Sequence, residues 1–123
     1  MKTILVVDDE PTIRMLVVAS LDGNGYRILE AADGTEALDL ARRKQPDLVL
    51  LDIAIPGVDG FEVCRRLKAE VAPHMPVLLL TGFDQQSHRE RASQVGADGF
   101  VAKPFSPAAL VTLIEHTLAA PAA

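Results

Sequence analysis

Asp8, Asp9 and Glu10 follow the apolar run Ile4 to Val7, and Asp52 closes the run Leu48 to Leu51. Thr81-Gly82 closes Val77 to Leu80, and Lys103-Pro104 follows the weaker run Gly99 to Ala102. Clustered carboxylates repel one another, so gathering them is costly unless a cation is held between them. Hard oxygen ligands with no neighbouring His or Cys suit Mg2+ rather than zinc. A lysine in the same place matches a ligand with oxyanion charge, most simply a phosphoryl group. One carboxylate can then act as nucleophile and form an acyl phosphate, with metal and lysine offsetting the charge. Taken singly, Asp8, Asp9 or Asp52 would serve equally well as a helix cap or a polar loop residue. The set, each member ending a separate run, is what points to chemistry.

The runs themselves must bring these residues together. They are near-continuous rather than alternating, as in strands covered on both faces of a parallel sheet. Arg27 to Ala31 is a fifth strand candidate, mixed in character and suited to an edge. Between the runs lie segments of helical period. Ile13, Leu16, Val17 and Leu21 form one stripe, and Ala37, Leu38, Leu40 and Ala41 a second. Phe61, Cys64 and Leu67 begin a third, Gln85 to Val95 is polar and charged, and Leu110, Val111, Leu113, Ile114 and Leu118 supply the last. Asn24-Gly25, Asp33-Gly34 and Pro46-Asp47 punctuate the joins, and Ser106-Pro107 reads as an N-cap followed by proline at the first helical position. Strands alternating with helices make an open α/β sheet with right-handed crossovers. In such a sheet ligands sit outside the carboxyl ends of the strands, which is where the acids, Thr81 and Lys103 fall.

Composition agrees and narrows the classes. The chain has 123 residues, which suits one domain with its own core. Aromatics are only 4% and tryptophan is absent, so Val, Leu, Ile and Ala must build that core. The lone Cys64 excludes an intramolecular disulfide framework or a multi-cysteine zinc site, and reads as a small core residue. A net charge of -5 argues against a dedicated nucleic-acid binder. The apolar runs fall far short of the roughly 20 residues of a membrane helix, and the N-terminus is not a signal peptide. The expectation is a soluble, cytoplasmic domain over residues 1–118, with 119–123 an Ala/Pro tail, either a frayed end or a truncated linker.

The strings ILVVDDEP, DLVLLDIAIPGVDGFEVCRRL, PVLLLTG and GADGFVAKPFSPAAL resemble the receiver domain of bacterial two-component response regulators. The resemblance runs from about Lys2 to Leu118 with the motifs in family order and spacing. It implies a flavodoxin-like, CheY-like fold: an open five-stranded parallel sheet in order 2-1-3-4-5, with five helices on both faces. It further implies that Asp52 accepts the phosphoryl group, that Asp9 binds Mg2+ directly, and that Asp8 reaches it through water. Ala54 matches the position whose backbone carbonyl binds the metal. Thr81 matches the switch hydroxyl, Lys103 the lysine that pairs with the acceptor, and Phe100 the aromatic switch. Gly82 matches a small residue that leaves the donor room to approach. Ala54 and Phe83 match variable positions that tune hydrolysis, and the Lys103-Pro104 bond matches one that is commonly cis. Phenylalanine lacks tyrosine's hydroxyl, so Phe100 is expected to favour the inward position by burial alone.

The partners so implied are a sensor histidine kinase or histidine phosphotransfer protein, and a downstream protein target or a missing output domain. Met15 and Val18 fall off the first helical stripe and form a docking candidate for the kinase; isolated exposed apolar residues are also ordinary. His88, Arg89, Glu90 and Arg91 read as a solvated charged face, and His74, His88 and His116 as surface positions without a metal pattern. A salt-bridged dimer through the fourth helix, fifth strand and fifth helix is not expected, because Gly99 follows Asp98 and the last helix is poor in charge. A monomer or weak dimer is the expectation. The chain is not expected to be an enzyme beyond phosphorylation and dephosphorylation of its own Asp52. Two alternatives stand beside this: a pseudo-receiver that binds partners without phosphorylation, and an aspartyl-phosphate hydrolase. The latter resembles a DxD arrangement with the nucleophile first, whereas here the first acids are adjacent and the proposed nucleophile lies elsewhere.

Overall fold

The computed structural model describes residues 1–82 and 86–119, the side chain of Gln86 aside. Five strands alternate with five helices: β1 (Thr3–Val7), α1 (Pro11–Leu21), β2 (Arg27–Ala31), α2 (Gly34–Lys44), β3 (Leu48–Asp52), α3 (Gly60–Arg66), β4 (Val77–Thr81), α4 (Gln86–Gln94), β5 (Gly99–Ala102) and α5 (Pro107–Ala119). A π-helical turn, Leu67–Val71, extends α3. The strands form one parallel sheet in the order β2-β1-β3-β4-β5, the expected topology.

Successive side chains of a strand point to opposite faces, so a strand covered on both sides is apolar throughout. Leu5, Val7, Val49, Leu51, Val77 and Leu79 face α2, α3 and α4, where Ala37, Leu38, Ala41, Phe61, Val63, Cys64 and Ala92 meet them. Ile4, Val6, Leu48, Leu50, Leu78 and Leu80 face α1 and α5 through Val17, Leu21, Leu110 and Ile114. β3 and β4 are buried at every position, whereas β2 at the edge exposes Arg27 and Glu30. Each Leu, Ile or Val so buried stabilises the fold by about 1.5–3 kcal/mol before the cost of chain ordering is counted.

The expected Ser106 cap is present, and Asp33 and Asp59 cap α2 and α3 as well. Asp33 accepts from the Glu36 amide at 2.8 Å, Asp59 from the Glu62 amide at 3.0 Å, and the Ser106 hydroxyl from the Ala109 amide at 3.3 Å. On α1 the stripe differs from expectation. Ile13, Val17 and Leu21 form the inward row, but Leu16 is 41% exposed and Met15 69%. Leu16 and Val18 each lie about 100° from Val17 around the helix, one on either side of the row. Leu16 is left in solvent, while Val18 is partly covered. The exposed apolar pair is therefore Met15 and Leu16 rather than Met15 and Val18.

Candidate functional site

Parallel strands point all their carboxyl ends to one edge of the sheet, and the polar residues that close β1, β3, β4 and β5 converge there. Asp8 is completely buried, Asp52 is 3% exposed and Thr81 1%, whereas Asp9 and Glu10 lie in solvent. One carboxylate oxygen from each of Asp8, Asp9, Glu10 and Asp52 can be chosen so that all lie within 4.8 Å of one another. Lys103, on the segment after β5, bridges the two buried acids: Nζ donates to Asp8 Oδ2 at 2.8 Å and to Asp52 Oδ2 at 3.1 Å. The other oxygens are also held, Asp8 Oδ1 by the Glu10 amide at 2.9 Å and Asp52 Oδ1 by the Ala54 amide at 3.0 Å.

The backbone fixes this geometry. The Lys103 amide donates to the Thr81 carbonyl at 2.7 Å, so the lysine's segment is tied to the end of β4. The Lys103-Pro104 bond is cis, as the family pattern implies. Gly60 opens α3 against the loop after β3: a Cβ there would collide with Ile53 Cα and lie 2.6 Å from the Asp52 carbonyl oxygen. The Gly60 amide also donates to the Ile53 carbonyl at 3.2 Å. Arg14 of α1 reaches back with Nη1 to the Asp8 carbonyl at 2.6 Å and with Nε to Glu30 of β2 at 3.2 Å. Neither Gly60 nor Arg14 stood out in the sequence. A glycine after a capping aspartate looks like an ordinary helix start, and an arginine on a helix looks like a solvated cation.

Electrostatics follows from the packing. Burial raises the Asp52 pKa above 3.8 and the Asp8 charge adds to this; the Ala54 amide and Lys103 oppose it without cancelling it. Burial alone would lower the Lys103 pKa, but its hydrogen bonds and Coulomb attraction with Asp8 and Asp52 outweigh that, and the pKa is raised. The result is an ammonium held between two carboxylates, one of them disfavouring its own charge.

The carboxylate oxygens suit a hard divalent cation. They are close, oxygen-only and without His or Cys among them, and two of them face solvent through which an ion can enter. Ala54 is exposed beside Asp52. Gly82 is likewise exposed, and a Cβ there would meet nothing within 4 Å.

A model of the response regulator receiver domain matches residues 4–115. The chain belongs to this family. The alkaline phosphatase synthesis transcriptional regulatory protein PhoP of Bacillus subtilis is 42% identical over 106 residues, covering 86% of this chain and 44% of that protein. Among solved structures, the chemotaxis protein CheY4 of Vibrio cholerae superimposes with a TM-score of 0.90 at 32% identity, covering 95% of this chain and 98% of that one. The receiver domain of the sensor histidine kinase PA1611 of Pseudomonas aeruginosa, with a magnesium ion in its active-site cleft, gives 0.89 at 32% identity, covering 97% and 98%. The receiver spans about half the length of the curated relatives it matches.

The remaining sequence candidates fall in three places. Phe100 of β5 is half-buried against the α2–α4 side of the sheet, with the Arg89 guanidinium 5.7 Å from its ring centre. Arg91 sits 4.2 Å over the buried Phe61 ring, and His88 lies 5.9 Å from it. Arg89, Glu90 and Arg91 are exposed, in keeping with the solvated charged face expected, with the two guanidiniums laid over aromatic rings of other segments, whereas His88 is half-buried rather than free on the surface. Cys64 is buried, as expected, and its thiol is pushed up to about 11 by burial. Phe83, Gln85 and residues 120–123 of the expected tail lie outside the described residues. Among the described residues, no helix is long and apolar enough to cross a membrane.

Proposed function

We propose that this receiver accepts a phosphoryl group on Asp52 from a sensor histidine kinase or histidine phosphotransfer protein, in the cytoplasm, and passes the signal on by contact. The observation that carries the reading is the Lys103 bridge between Asp8 and Asp52 beside a four-carboxylate cluster. An Asp52 carboxylate oxygen attacks phosphorus, and the P–N bond of a phosphohistidine breaks. The electron pair leaves on imidazole, which takes up a proton. Asp52 is the nucleophile, and Lys103 follows the oxyanion charge as it moves onto the phosphoryl oxygens. Asp9, Asp8 through water, Asp52 and the Ala54 carbonyl are the residues that would hold Mg2+. When bound, the ion supplies positive charge opposite those oxygens.

The Thr81 hydroxyl closes β4 on the same edge and serves as a further donor to the phosphoryl group. Its movement opens room for Phe100 to turn fully inward from its half-buried place, which alters the face made by α4, β5 and α5. The target there is a protein partner or an output domain, bound by a monomer or weak dimer and without direct contact to nucleic acid. Met15, with Val18 beside it, forms the kinase-docking end of α1, and exposed Leu16 widens that patch. No reaction beyond the chain's own phosphorylation and dephosphorylation is assigned to it.

Incubation with Mg2+ and acetyl phosphate or phosphoramidate, followed by intact mass, tests this. The expected result is a labile gain of one phosphoryl group that Asp52→Asn abolishes. No gain with any donor would overturn it in favour of a phosphorylation-independent binding module. Continuous release of phosphate from small phosphate esters would favour a hydrolase.

A further inference from the structure

Asp9 faces solvent, so what aims its carboxylate is the backbone that carries it. The Asp8 carbonyl and the Asp9 amide belong to one planar peptide unit, so a bond that orients the carbonyl orients the plane from which Asp9 departs. The Asp8 carbonyl accepts from Arg14 Nη1 at 2.6 Å. The remaining polar groups of Asp8 are held as well: its amide donates to Ala31 at 3.1 Å, and its carboxylate is held by the Glu10 amide and Lys103. The α1 N-cap, Glu10, makes no side-chain cap bond, and the first turn of α1 holds no acid. The turn between β1 and α1 is thus held at its start by the Asp8 carboxylate on the Glu10 amide, with no cap from the Glu10 side chain. Arg14 braces it from one helical turn further on.

Arg14 is itself held. Its Nε donates to Glu30 Oε1 at 3.2 Å, and its side chain is only 20% exposed. The planar guanidinium spans both acceptors with its fork of donors, which a single ammonium does not reproduce. Glu30 also offsets a positive charge that would otherwise act against a cation at the acid cluster. Glu30 stands on edge strand β2, so the brace links α1, the β1 turn and the sheet edge.

We propose that Arg14, oriented by Glu30, is a positioning residue that sets the direction of the Asp9 carboxylate and so the affinity of the site for Mg2+. This rests on the reading of Asp9 as a metal ligand. Groups that orient metal ligands from behind are typically worth about 10-fold or more in metal affinity.

The test is calorimetric titration of the whole chain with Mg2+, checked by Mn2+ binding in electron paramagnetic resonance, on the natural protein, Arg14→Ala, Arg14→Lys and Glu30→Ala. Arg14→Ala is expected to weaken Mg2+ binding about 10-fold, with phosphorylation by phosphoramidate needing correspondingly more Mg2+ but reaching the same rate at saturation. Arg14→Lys is expected to recover part of the loss, and Glu30→Ala to show a smaller loss than Arg14→Ala. If Arg14→Ala fails to fold, the Lys and Glu30 variants decide. Unchanged Mg2+ affinity in the folded variants overturns the positioning role while leaving the Mg2+ reading intact. No Mg2+ binding by the natural protein overturns both. A lower rate at saturating Mg2+ with unchanged affinity overturns the proposal by showing that Arg14 acts on the transfer itself.

Discussion

At Asp52, burial opposes the charge that makes the residue a nucleophile. Its pKa lies above 3.8 with the attraction of Lys103 already counted. A carboxyl that holds its proton more tightly when folded makes folding less favourable as pH rises from 3.8 through the raised folded pKa, above which the cost is complete. Asp52→Asn removes the charge while keeping the shape. It should therefore melt higher than the natural protein at pH 7 in metal-free buffer, and the gap should close as pH falls toward 3.8. Thermal melts across that pH range check this; equal Tm values at neutral pH would refute it. Gly60 makes a different demand. A methyl group there meets Ile53 Cα and the Asp52 carbonyl, which are backbone and cannot swing aside. Gly60→Ala should cost roughly 2 kcal/mol by denaturant titration, within the usual range for overpacking. It should also slow phosphorylation of Asp52, because the strand end must shift to make room.

At the scale of elements, the strands were legible because β3 and β4 are covered on both faces and must be apolar throughout, and each polar residue that ends such a run marks the functional edge. Asp8, Asp52, Thr81 and Lys103 could be picked out for that reason. The ring contacts of α4 were not legible. Its residues are mostly polar, and the rings that the exposed Arg89 and Arg91 guanidiniums lie over, Phe100 and Phe61, come from other segments. Likewise, Leu16 and Val18 flank the α1 row symmetrically, so periodicity alone does not tell which neighbour covers which. Ala92 is the only buried residue of α4 among those described, and the guanidinium–ring contacts add to its attachment. Arg91→Ala should lose about 0.5–1 kcal/mol of that attachment. Amide hydrogen exchange should then quicken along α4 while β3 and β4 stay protected. An unchanged exchange pattern would show that the Arg91–Phe61 contact adds nothing to the hold on the helix.

For the whole molecule, sheet order and site are one fact. The order β2-β1-β3-β4-β5 places β1 and β3 side by side at the centre, so the acids that end them are neighbours, with the Lys103 segment closing over them. Those acids repel one another across the fold's middle, and Lys103 can neutralise only part of their charge. A cation that binds the folded cluster but not the unfolded chain stabilises the entire domain by mass action, by about 2.7 kcal/mol at a hundred-fold excess over its Kd. For a domain of this size that is a rise in Tm of about 10 °C. The rise should grow with the logarithm of Mg2+ concentration, exceed that produced by KCl at matched ionic strength, and vanish in Asp9→Asn. An equal rise with KCl would mean that salt is only screening the net charge of -5. A rise that survives in Asp9→Asn would place the ion elsewhere on the molecule and separate the stability of the fold from the site at its edge.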